Sequence, residues 1–319
     1  MISEVLHAYN FENSKVSKLK KISELSSKGF NWIHLDATHA NIAGTLLAKN
    51  LSINSIAHKA LLEEETRPRM VKFDEGILLI LRGVNLNDNA APEDMISLRL
   101  WVSGNNIVTL RKRKLKAVQD IVKNIEANDL PKSIGDILCQ LVERLAERMQ
   151  PTIAGLNELI DDLEETIIDG QDKEIRESIL DIRRKSIVLR RYMKPQGIAI
   201  EQLLSSNLPW LDANHSFWLN QSANNIQRYT EDLEVVRDRS QAIMDEITNK
   251  ISEKLNRNMY LFSVIAAIFL PLSFLTGLLG INVAGIPGAS NPNAFLIFCL
   301  ILLAIVIVQI VLFKKFKWF

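Results

Sequence analysis

The most compact group of potential metal ligands in the sequence lies in residues 34–39, which contain His34, Asp36 and His39. Imidazole and carboxylate groups are ligands that Zn²⁺ accepts. No second cluster close by in the sequence supplies the further ligands that a closed zinc site requires. A carboxylate that follows a predicted strand and precedes Thr38 is also typical of a cap at the start of a helix. Both interpretations, a metal site and a helix cap, are open at this stage.

A second group of potential cation ligands is acidic and lies near the end of a predicted helix. Its members are Glu158, Asp161, Asp162, Glu164, Glu165, Asp169 and Asp172. Such a density of carboxylates attracts cations, and we take Asp161, Asp162 and Glu165 as candidate metal ligands. The alternative is that these carboxylates form the solvated face of a helix.

A third pattern combines small and polar side chains along one face of a long apolar stretch. Alternate steps of three and four residues along this face meet Asn256, Met259, Ser263, Ala266, Leu270, Ser273, Gly277 and Gly280. A 3.5-residue repeat indicates a helix that packs against copies of itself or lines water, and ordinary close packing is the alternative. The face carries no carboxylate, imidazole or thiol. A divalent cation that passed along it would therefore keep most of its water, which Mg²⁺ gives up reluctantly.

Two stretches at the C-terminal end are long enough to cross a membrane. Residues 258–313 contain no Asp, Glu, Lys, Arg or His. Within them, 259–279 and 294–313 each provide about the 20 apolar residues that a spanning helix needs. The connector, residues 280–293, is rich in glycine, proline and asparagine. These features predict a two-helix transmembrane hairpin rather than the buried hairpin of a soluble protein.

The basic residues that flank the two spans predict their orientation. They are Lys250, Lys254 and Arg257 before the first span and Lys314, Lys315 and Lys317 after the second. By the positive-inside bias, both termini are predicted to face the cytoplasm. The second span, rich in Leu, Ile and Val, suits contact with membrane lipid. Because two spans from one chain cannot enclose a water-filled path, a stripe that lines water requires a homo-oligomer.

The first part of the chain, residues 1–132, is predicted to be a mixed α/β domain on the cytoplasmic side. Predicted strands are residues 5–9, 30–35, 69–73, 76–84, 95–103 and 106–110. The last two face each other across Ser103, Gly104 and Asn105, a turn typical of a hairpin. Predicted helices are residues 40–50, 53–65 and 116–128. The irregular alternation of elements favours a sheet with helices on its faces over a doubly wound nucleotide fold.

Long helices follow, so the predicted fold class is an α+β cytoplasmic domain, then long helices, then the transmembrane hairpin. Residues 133–168 and 173–192 are predicted to form an antiparallel pair within 133–212, broken at Asp169–Gly170 and ended by Pro195. A stalk helix, 213–258, begins near Asn214 or Ser216 and carries seven-residue repeats of a coiled-coil seam. Nothing in the sequence stops it before the membrane segment, residues 259–319.

The composition argues against several other classes of protein. The net charge is +1, whereas a nucleic-acid surface is strongly basic. The common phosphate-binding glycine motifs are absent from the sequence, and no nucleophile and base suggest an enzyme. Neither Cys139 nor Cys299 suggests a disulfide framework. The first residues lack the apolar core of a signal peptide, so the N-terminal region is not predicted to be exported.

The end of the first span resembles a known family signature. Gly280, Ile281 and Asn282, placed directly before a short loop and a second span, resemble the GxN signature of the CorA metal-ion transporters. The wider string TGLLGINVAGIPG, with its neutral loop, is similar to the ZntB zinc-transporter branch. Further strings similar to that branch are ETRPR at residues 65–69, LRGVNLN at 81–87 and PEDMISLRLW at 92–101. The resemblance therefore covers essentially the whole chain.

The resemblance implies a funnel-shaped homo-oligomer in the bacterial inner membrane, expected as a pentamer with the first spans inside. It implies transport of Zn²⁺, and also of Cd²⁺, Ni²⁺ or Co²⁺, with a link to protons and no bound cofactor. The residues that it places on the ion path are Asn256, Met259, Ser263, Leu270, Ser273, Gly277, Gly280, Ile281 and Asn282. A hydrated ion would meet Gly280 carbonyls and Asn282 oxygens at the outer mouth and then an apolar ring at Leu270, which gates by dewetting.

Two alternatives to a zinc transporter stay open from the sequence. One is a Mg²⁺ or Co²⁺ channel of the general CorA type. The other is a membrane-anchored coiled-coil scaffold that transports nothing. In each case Pro271 is expected to free a backbone carbonyl in the middle of the first span.

Overall fold

A seven-stranded sheet forms the centre of the first of two compact units, Met1–Met244 and Asp245–Phe319. This computed structural model describes residues 5–19, 24–38, 43–45, 47, 53–166, 172–281, 286, 288 and 291–315. The strands are β1 (Val5–Glu12), β2 (Lys15–Lys18), β3 (Phe30–Asp36), β4 (Arg69–Lys72), β5 (Ile77–Gly83), β6 (Ile96–Ser103) and β7 (Asn106–Arg111). Their order in the sheet is β2-β1-β3-β7-β6-β5-β4. Neighbouring strands are antiparallel except β3 and β7, which are parallel.

The central strands are buried along nearly their whole length. In β3, β5 and β6 almost every residue is buried, as expected for strands that are covered on both faces. On one face, Ile33 and Trp101 belong to an apolar cluster with the helical residues Ala57 and Leu61. This arrangement confirms the predicted sheet with helices on its faces.

All six predicted strands are present, and the structure contains one further strand, β2, that was not predicted. β6 and β7 form the predicted hairpin, in which Gly104 has a φ of +53° that favours glycine. The additional strand, β2, has only four residues and lies exposed at the edge of the sheet. It pairs with β1 through a turn in which Asn13 and Ser14 both have positive φ, as in a type I′ turn. The turn contains no glycine and the strand is short, so the sequence signal was weak.

Six helices are defined in the described part of the chain, and they bear out most of the helical predictions. They are α1 (Ser55–Leu62), α2 (Lys116–Glu126), α3 (Ile134–Thr166), α4 (Asp172–Ser205), α5 (Ala213–Leu279) and α6 (Ala294–Lys315). Most of the predicted helix at residues 40–50 lies outside the described residues, although residues 43–45 and 47 are helical. The predicted break at Asp169–Gly170 also lies outside them.

The prediction that Pro195 ends the second long helix is wrong, because α4 continues through it to Ser205. The residues after the proline are held by packing: Ile200 and Leu203 are fully buried. The buried side chain of Gln196 accepts a hydrogen bond from the backbone N–H of Arg82 on β5, at 2.6 Å. These tertiary contacts outweigh the local helix-breaking effect of the proline.

The stalk and the first span form one uninterrupted helix, as predicted. α5 has 67 residues and passes through Pro271 without a break. Its heptad positions in the first unit are buried: Ile226, Tyr229, Leu233, Val236, Ser240 and Ile243. The predicted division of the chain into four parts stays a prediction, since the boundary between the two compact units falls inside α5.

Candidate ion pathway

The small and polar stripe of α5 is exposed along its whole length within one chain. Its members are Asn256, Met259, Ser263, Ala266, Leu270, Ser273, Gly277 and Gly280. The least exposed residues of the same stretch are Val264, Ala267, Ile268, Pro271, Leu272 and Leu275. At 3.6 residues per turn, the mean directions of these two sets differ by about 150° around the helix. The stripe therefore points away from the side of α5 that its own chain shields.

The second span lies on the shielded side of the first. The least exposed residues of α6 recur at intervals of three or four and include Ala294, Phe298, Leu302, Ile305 and Gln309. The Gln309 side chain reaches α5, where its Nε2 donates a hydrogen bond to the carbonyl oxygen of Ala267 at 3.2 Å. The two spans thus meet through the face opposite to the stripe. Both helices are long and apolar enough to cross a membrane.

The polar atoms of the stripe suit the water around a cation. The Ser263 hydroxyl donates to the carbonyl oxygen of Met259 at 2.9 Å. Its hydrogen is therefore used within the helix, and its oxygen is left to accept hydrogen bonds. The water of a hydrated cation presents its hydrogens outward, so an accepting oxygen is the complementary group. Asn256 and Met259 are exposed one turn or more before this serine.

Gly280 directly follows the last residue of the first span, at a position where a residue with a side chain would not fit. Its N–H donates to the carbonyl oxygen of Thr276 at 2.9 Å. A Cβ atom at Gly280 would lie only 2.7 Å from that oxygen. Glycine is therefore required here by the close approach of the backbone. Ile281, the next residue, is exposed, and Asn282 lies outside the described residues.

The start of the second span is fixed by a side-chain cap. The Asn291 side chain accepts a hydrogen bond from the N–H of Asn293 at 2.9 Å, and its backbone carbonyl accepts one from Ala294 at 3.0 Å. An asparagine in this position satisfies N–H groups that a helix start leaves without partners. The beginning of the span at residue 294 agrees with the predicted bounds.

Asp36 makes a side-chain turn directly after β3. Its Oδ1 accepts hydrogen bonds from the backbone N–H of Thr38, at 2.8 Å, and from the Thr38 hydroxyl. Residues 39–42 lie outside the described residues, so the predicted helix cap stays a prediction. His34 is buried in β3, and its Nδ1 lies 2.8 Å from Thr109 Oγ1. Burial lowers the pKa of His34 well below its usual value. His39 lies outside the described residues, so the metal site made of these three residues stays a prediction.

The acidic group on α3 is partly paired with a cation from α5. Arg239 contacts Asp161 Oδ1 at 2.6 Å, and its Nε lies 2.9 Å from Glu164 Oε1. Asp162 and Glu165 are exposed. Among the described residues, no three His, Cys, Asp or Glu side chains are grouped closely enough to hold a metal ion. The role of Asp161, Asp162 and Glu165 as metal ligands stays a prediction.

Replacing Arg239 with glutamine should lower the thermal unfolding midpoint of the full chain by about 1–3 °C at neutral pH. The hydrogen bond from Arg239 lowers the pKa of Glu164, so the ionised carboxylate is the stabilised form. This stabilisation is complete at neutral pH and is lost as the pH falls through the lowered pKa. Circular dichroism melting in detergent at pH 7 and pH 3 measures the difference.

Arg228→Gln is the matched control for that experiment, because Arg228 lies on the same helix and stacks near the ring of its neighbour Tyr229. The control should shift the midpoint less at pH 7. An Arg239→Gln shift of the same size at both pH values would contradict the assignment of the stabilisation to these carboxylates.

Two contacts of this part of the molecule were not found from the sequence. Arg239 is far from Asp161 in the chain, and only the packing of α3 against α5 brings them together. The contact of Gln309 could have been predicted from two features of the sequence. Gln309 is the one amide side chain in the second apolar span, and Pro271 in the first span leaves a backbone carbonyl that needs a hydrogen-bond donor.

Comparison with known proteins places both units in one family. A family model described as CorA-like Mg²⁺ transporter protein matches residues 27–315. The divalent cation transporter CmaX of Pseudomonas aeruginosa is 37% identical over 289 residues, which cover 90% of this chain and 87% of the relative. The zinc transport protein ZntB of Pectobacterium atrosepticum is 33% identical over 317 residues, which cover 99% and 96%.

Solved structures agree with these relatives. The structure of full-length CmaX, at 34% identity, superposes with a TM-score of 0.84 and covers 98% of both chains. The CorA magnesium transporter from Methanocaldococcus jannaschii, at 19% identity, has the same fold, with a TM-score of 0.83 over 100% of both chains. The predicted fold class is thereby confirmed.

The family match spans five of the seven strands, the long helices, both apolar spans and the Gly280–Asn282 triplet, so it does not rest on one motif. The relatives that match are named as transporters rather than enzymes. The resemblance seen in the sequence is confirmed over nearly the whole chain. The chain belongs to the family of CorA-like Mg²⁺ transporter proteins, which are membrane transporters of divalent cations.

Proposed function

We propose that this chain assembles into a homo-oligomer that carries Zn²⁺, and related cations such as Cd²⁺, Ni²⁺ and Co²⁺, across the inner membrane. The observation that carries the proposal is the exposed stripe of α5. Within one chain the second span covers the opposite side of the helix, so the small and polar residues are left for other copies or for water. In a ring of first spans, with five copies expected, the stripe would contact the neighbouring copies at its sides and water in the middle of the ring.

The transported ion is proposed to pass in hydrated form. Residues 258–313 contain no ionisable side chain other than Tyr260 and Cys299, and neither is on the stripe. The path can therefore offer carbonyl, amide and hydroxyl oxygens but no charged ligand to replace the water of a divalent cation. Gly280 and Asn282 would meet the ion at the outer end, and Ser263 would accept hydrogen bonds from its water further in. Leu270 would form the apolar constriction between them.

Zinc is favoured over magnesium by two observations. The ZntB relative matches 99% of the chain, and the loop at residues 280–293 carries no charged residue. The description of the family model favours a second candidate, a Mg²⁺ or Co²⁺ channel of the general CorA type. A scaffold without transport is the candidate of a different class.

Initial rates of uptake of Zn²⁺, Co²⁺, Ni²⁺ and Mg²⁺ into liposomes that contain the purified full chain distinguish these candidates. We expect Zn²⁺ uptake well above that of protein-free liposomes and faster than Mg²⁺ uptake. Faster Mg²⁺ uptake would support the general CorA candidate, and no uptake of any ion would contradict transport. The same measurement with a pH gradient tests the proton link, which would have to use groups outside the stripe.

The orientation is proposed from the basic residues that flank the spans. Lys314 and Lys315 end α6, and Lys250, Lys254 and Arg257 precede the apolar part of α5. Both ends are therefore proposed to lie in the cytoplasm, with the neutral loop on the other side.

Native mass spectrometry of the detergent-solubilised chain should show one homo-oligomer, expected to be a pentamer. The physical reason is that a single chain leaves the stripe uncovered, and two spans cannot surround a path. A spectrum that contains only monomer at micromolar protein would contradict the proposed assembly.

A further inference from the structure

Pro271 creates a specific problem in the middle of the first span. Proline has no backbone N–H, so the carbonyl of Ala267, four residues earlier, loses its helical donor. In the apolar part of a membrane no water replaces that donor, and an unpaired carbonyl there is costly. Pro271 and Ala267 both lie on the shielded side of α5, away from the stripe.

Gln309 of the second span supplies the missing donor. Its Nε2 lies 3.2 Å from the Ala267 oxygen. Its Oε1 is buried and has no hydrogen-bond partner among the described residues. An amide in an otherwise apolar span is itself unfavourable, and the carbonyl left by Pro271 is the group that this amide satisfies.

We propose that Gln309 is a positioning residue for the ion path, and that it acts through Pro271. The proline lies between Leu270 and Ser273, the stripe residues assigned to the constriction and to the polar surface beside it. By donating to the Ala267 carbonyl, the Gln309 amide holds the backbone of α5 in place close to Leu270 and Ser273. The second span then contributes to the path without touching the ion. The effect on transport rests on the proposed function, whereas the hydrogen bond does not.

Four proteins test this proposal: wild type, Gln309→Met, Pro271→Ala and the double variant. Methionine keeps the length of the side chain and removes the donor. Gln309→Met should lower the maximal rate of Zn²⁺ uptake about three- to tenfold, with little change in the concentration for half-maximal uptake. It should also lower the thermal unfolding midpoint in detergent. Ile305→Met, on the same face of α6, should do neither.

The Pro271→Ala background shows whether the amide acts through the proline. Alanine restores the N–H that Ala267 lacks, so Gln309→Met should have little further effect on the midpoint or the rate. An equal loss from Gln309→Met in the wild-type and Pro271→Ala backgrounds would overturn the proposal, as would no loss from Gln309→Met alone. Wild type without uptake would overturn the proposed function, while the midpoints of the four proteins still decide whether the hydrogen bond is made.

Gln309→Glu gives a second test that does not depend on folding of the proline variant. A protonated carboxyl can donate to Ala267, and a carboxylate cannot. Between residues 258 and 313 the sequence has no Asp, Glu, Lys, Arg or His that would pair with it. At low pH this variant should therefore exceed the Gln309→Met rate at the same pH and approach wild type, and it should lose that advantage as the pH rises. Equal rates for the two variants at low pH would overturn the proposal.

Discussion

Replacing Asn282 with alanine should remove nearly all metal uptake while the oligomer still assembles. The loop at residues 280–293 has no charged residue, so polar oxygens are the groups available to meet an ion at this end. Alanine leaves only backbone carbonyls. A hydrogen bond to a charged partner contributes about 1.5–3 kcal/mol, and the loss of one in each copy predicts at least a tenfold lower rate, at about 1.4 kcal/mol per tenfold.

The control for this variant is Asn293→Ala, in the same loop but outside the Gly280–Asn282 triplet. Uptake of Zn²⁺ into liposomes and native mass spectrometry are measured on both variants. We expect a large loss of uptake for Asn282→Ala, a small loss for Asn293→Ala, and the same oligomer for each. Unchanged uptake by Asn282→Ala would show that the ion is selected elsewhere.

Opposite charges at Ser273 should have opposite effects on uptake. A lysine at this exposed stripe position would repel a divalent cation by about 7 kcal/mol at 5 Å, for an effective dielectric constant of about 20. Ser273→Lys is therefore expected to abolish uptake. Ser273→Asp should instead lower the cation concentration for half-maximal uptake, because a carboxylate attracts the ion in the same place.

The pair controls for damage to assembly, since both variants place a charge in an apolar span. Initial rates are measured over a range of Zn²⁺ concentrations, after native mass spectrometry has shown the same oligomer for both. Equal losses for Lys and Asp would contradict a stripe that faces the ion. Opposite effects of Lys and Asp on Zn²⁺ uptake are not expected from a position that faces lipid or is packed against another helix.

The fold was predictable where one physical effect dominates the local sequence. The absence of charge over residues 258–313 gives the two spans directly, and the repeat of apolar residues gives a helix that continues from the stalk into the membrane. The strand predictions succeeded because buried strands such as β5 are nearly continuous apolar runs. The Asp36 side chain accepts a hydrogen bond from the Thr38 N–H, a local turn that Asp commonly makes.

The remaining features depend on contacts between residues distant in sequence. The continuation of α4 through Pro195 depends on burial of Ile200 and on the bond between Gln196 and Arg82. Helix propensities of the local sequence include neither the burial of Ile200 nor this hydrogen bond. The pairing of Gln309 with the Ala267 carbonyl likewise requires α6 to lie on a particular side of α5.

The stripe itself was predictable as a pattern, whereas the sequence left open which side of α5 the second span of the same chain covers. The sequence allowed Ser273 and Leu270 to pack against the second span of the same chain. The structure instead turns Val264 and Pro271 toward the shielded side and leaves the stripe exposed. Packing between the spans decides this side, and the hydrogen bond from Gln309 to the Ala267 carbonyl is one of the contacts made there.

Chemical modification of a cysteine at position 273 tests most directly whether the stripe lines the ion path. The background protein carries Cys299→Ala, while Cys139 is kept because burial raises the pKa of its thiol to about 12, which leaves it unreactive at neutral pH. Ser273→Cys is compared with Leu300→Cys. Leu300 is exposed, lies on the face of α6 opposite to Gln309, and is about as far from the outer end of the second span as Ser273 is from the outer end of the first.

A positively charged, membrane-impermeant thiol reagent is added to liposomes before Zn²⁺ uptake is measured. We predict that the reagent blocks uptake by Ser273→Cys and that excess Zn²⁺ slows the block, while uptake by Leu300→Cys is unaffected. Full uptake by treated Ser273→Cys, or an equal block of both variants, would contradict the assignment of the ion path to the exposed stripe of α5.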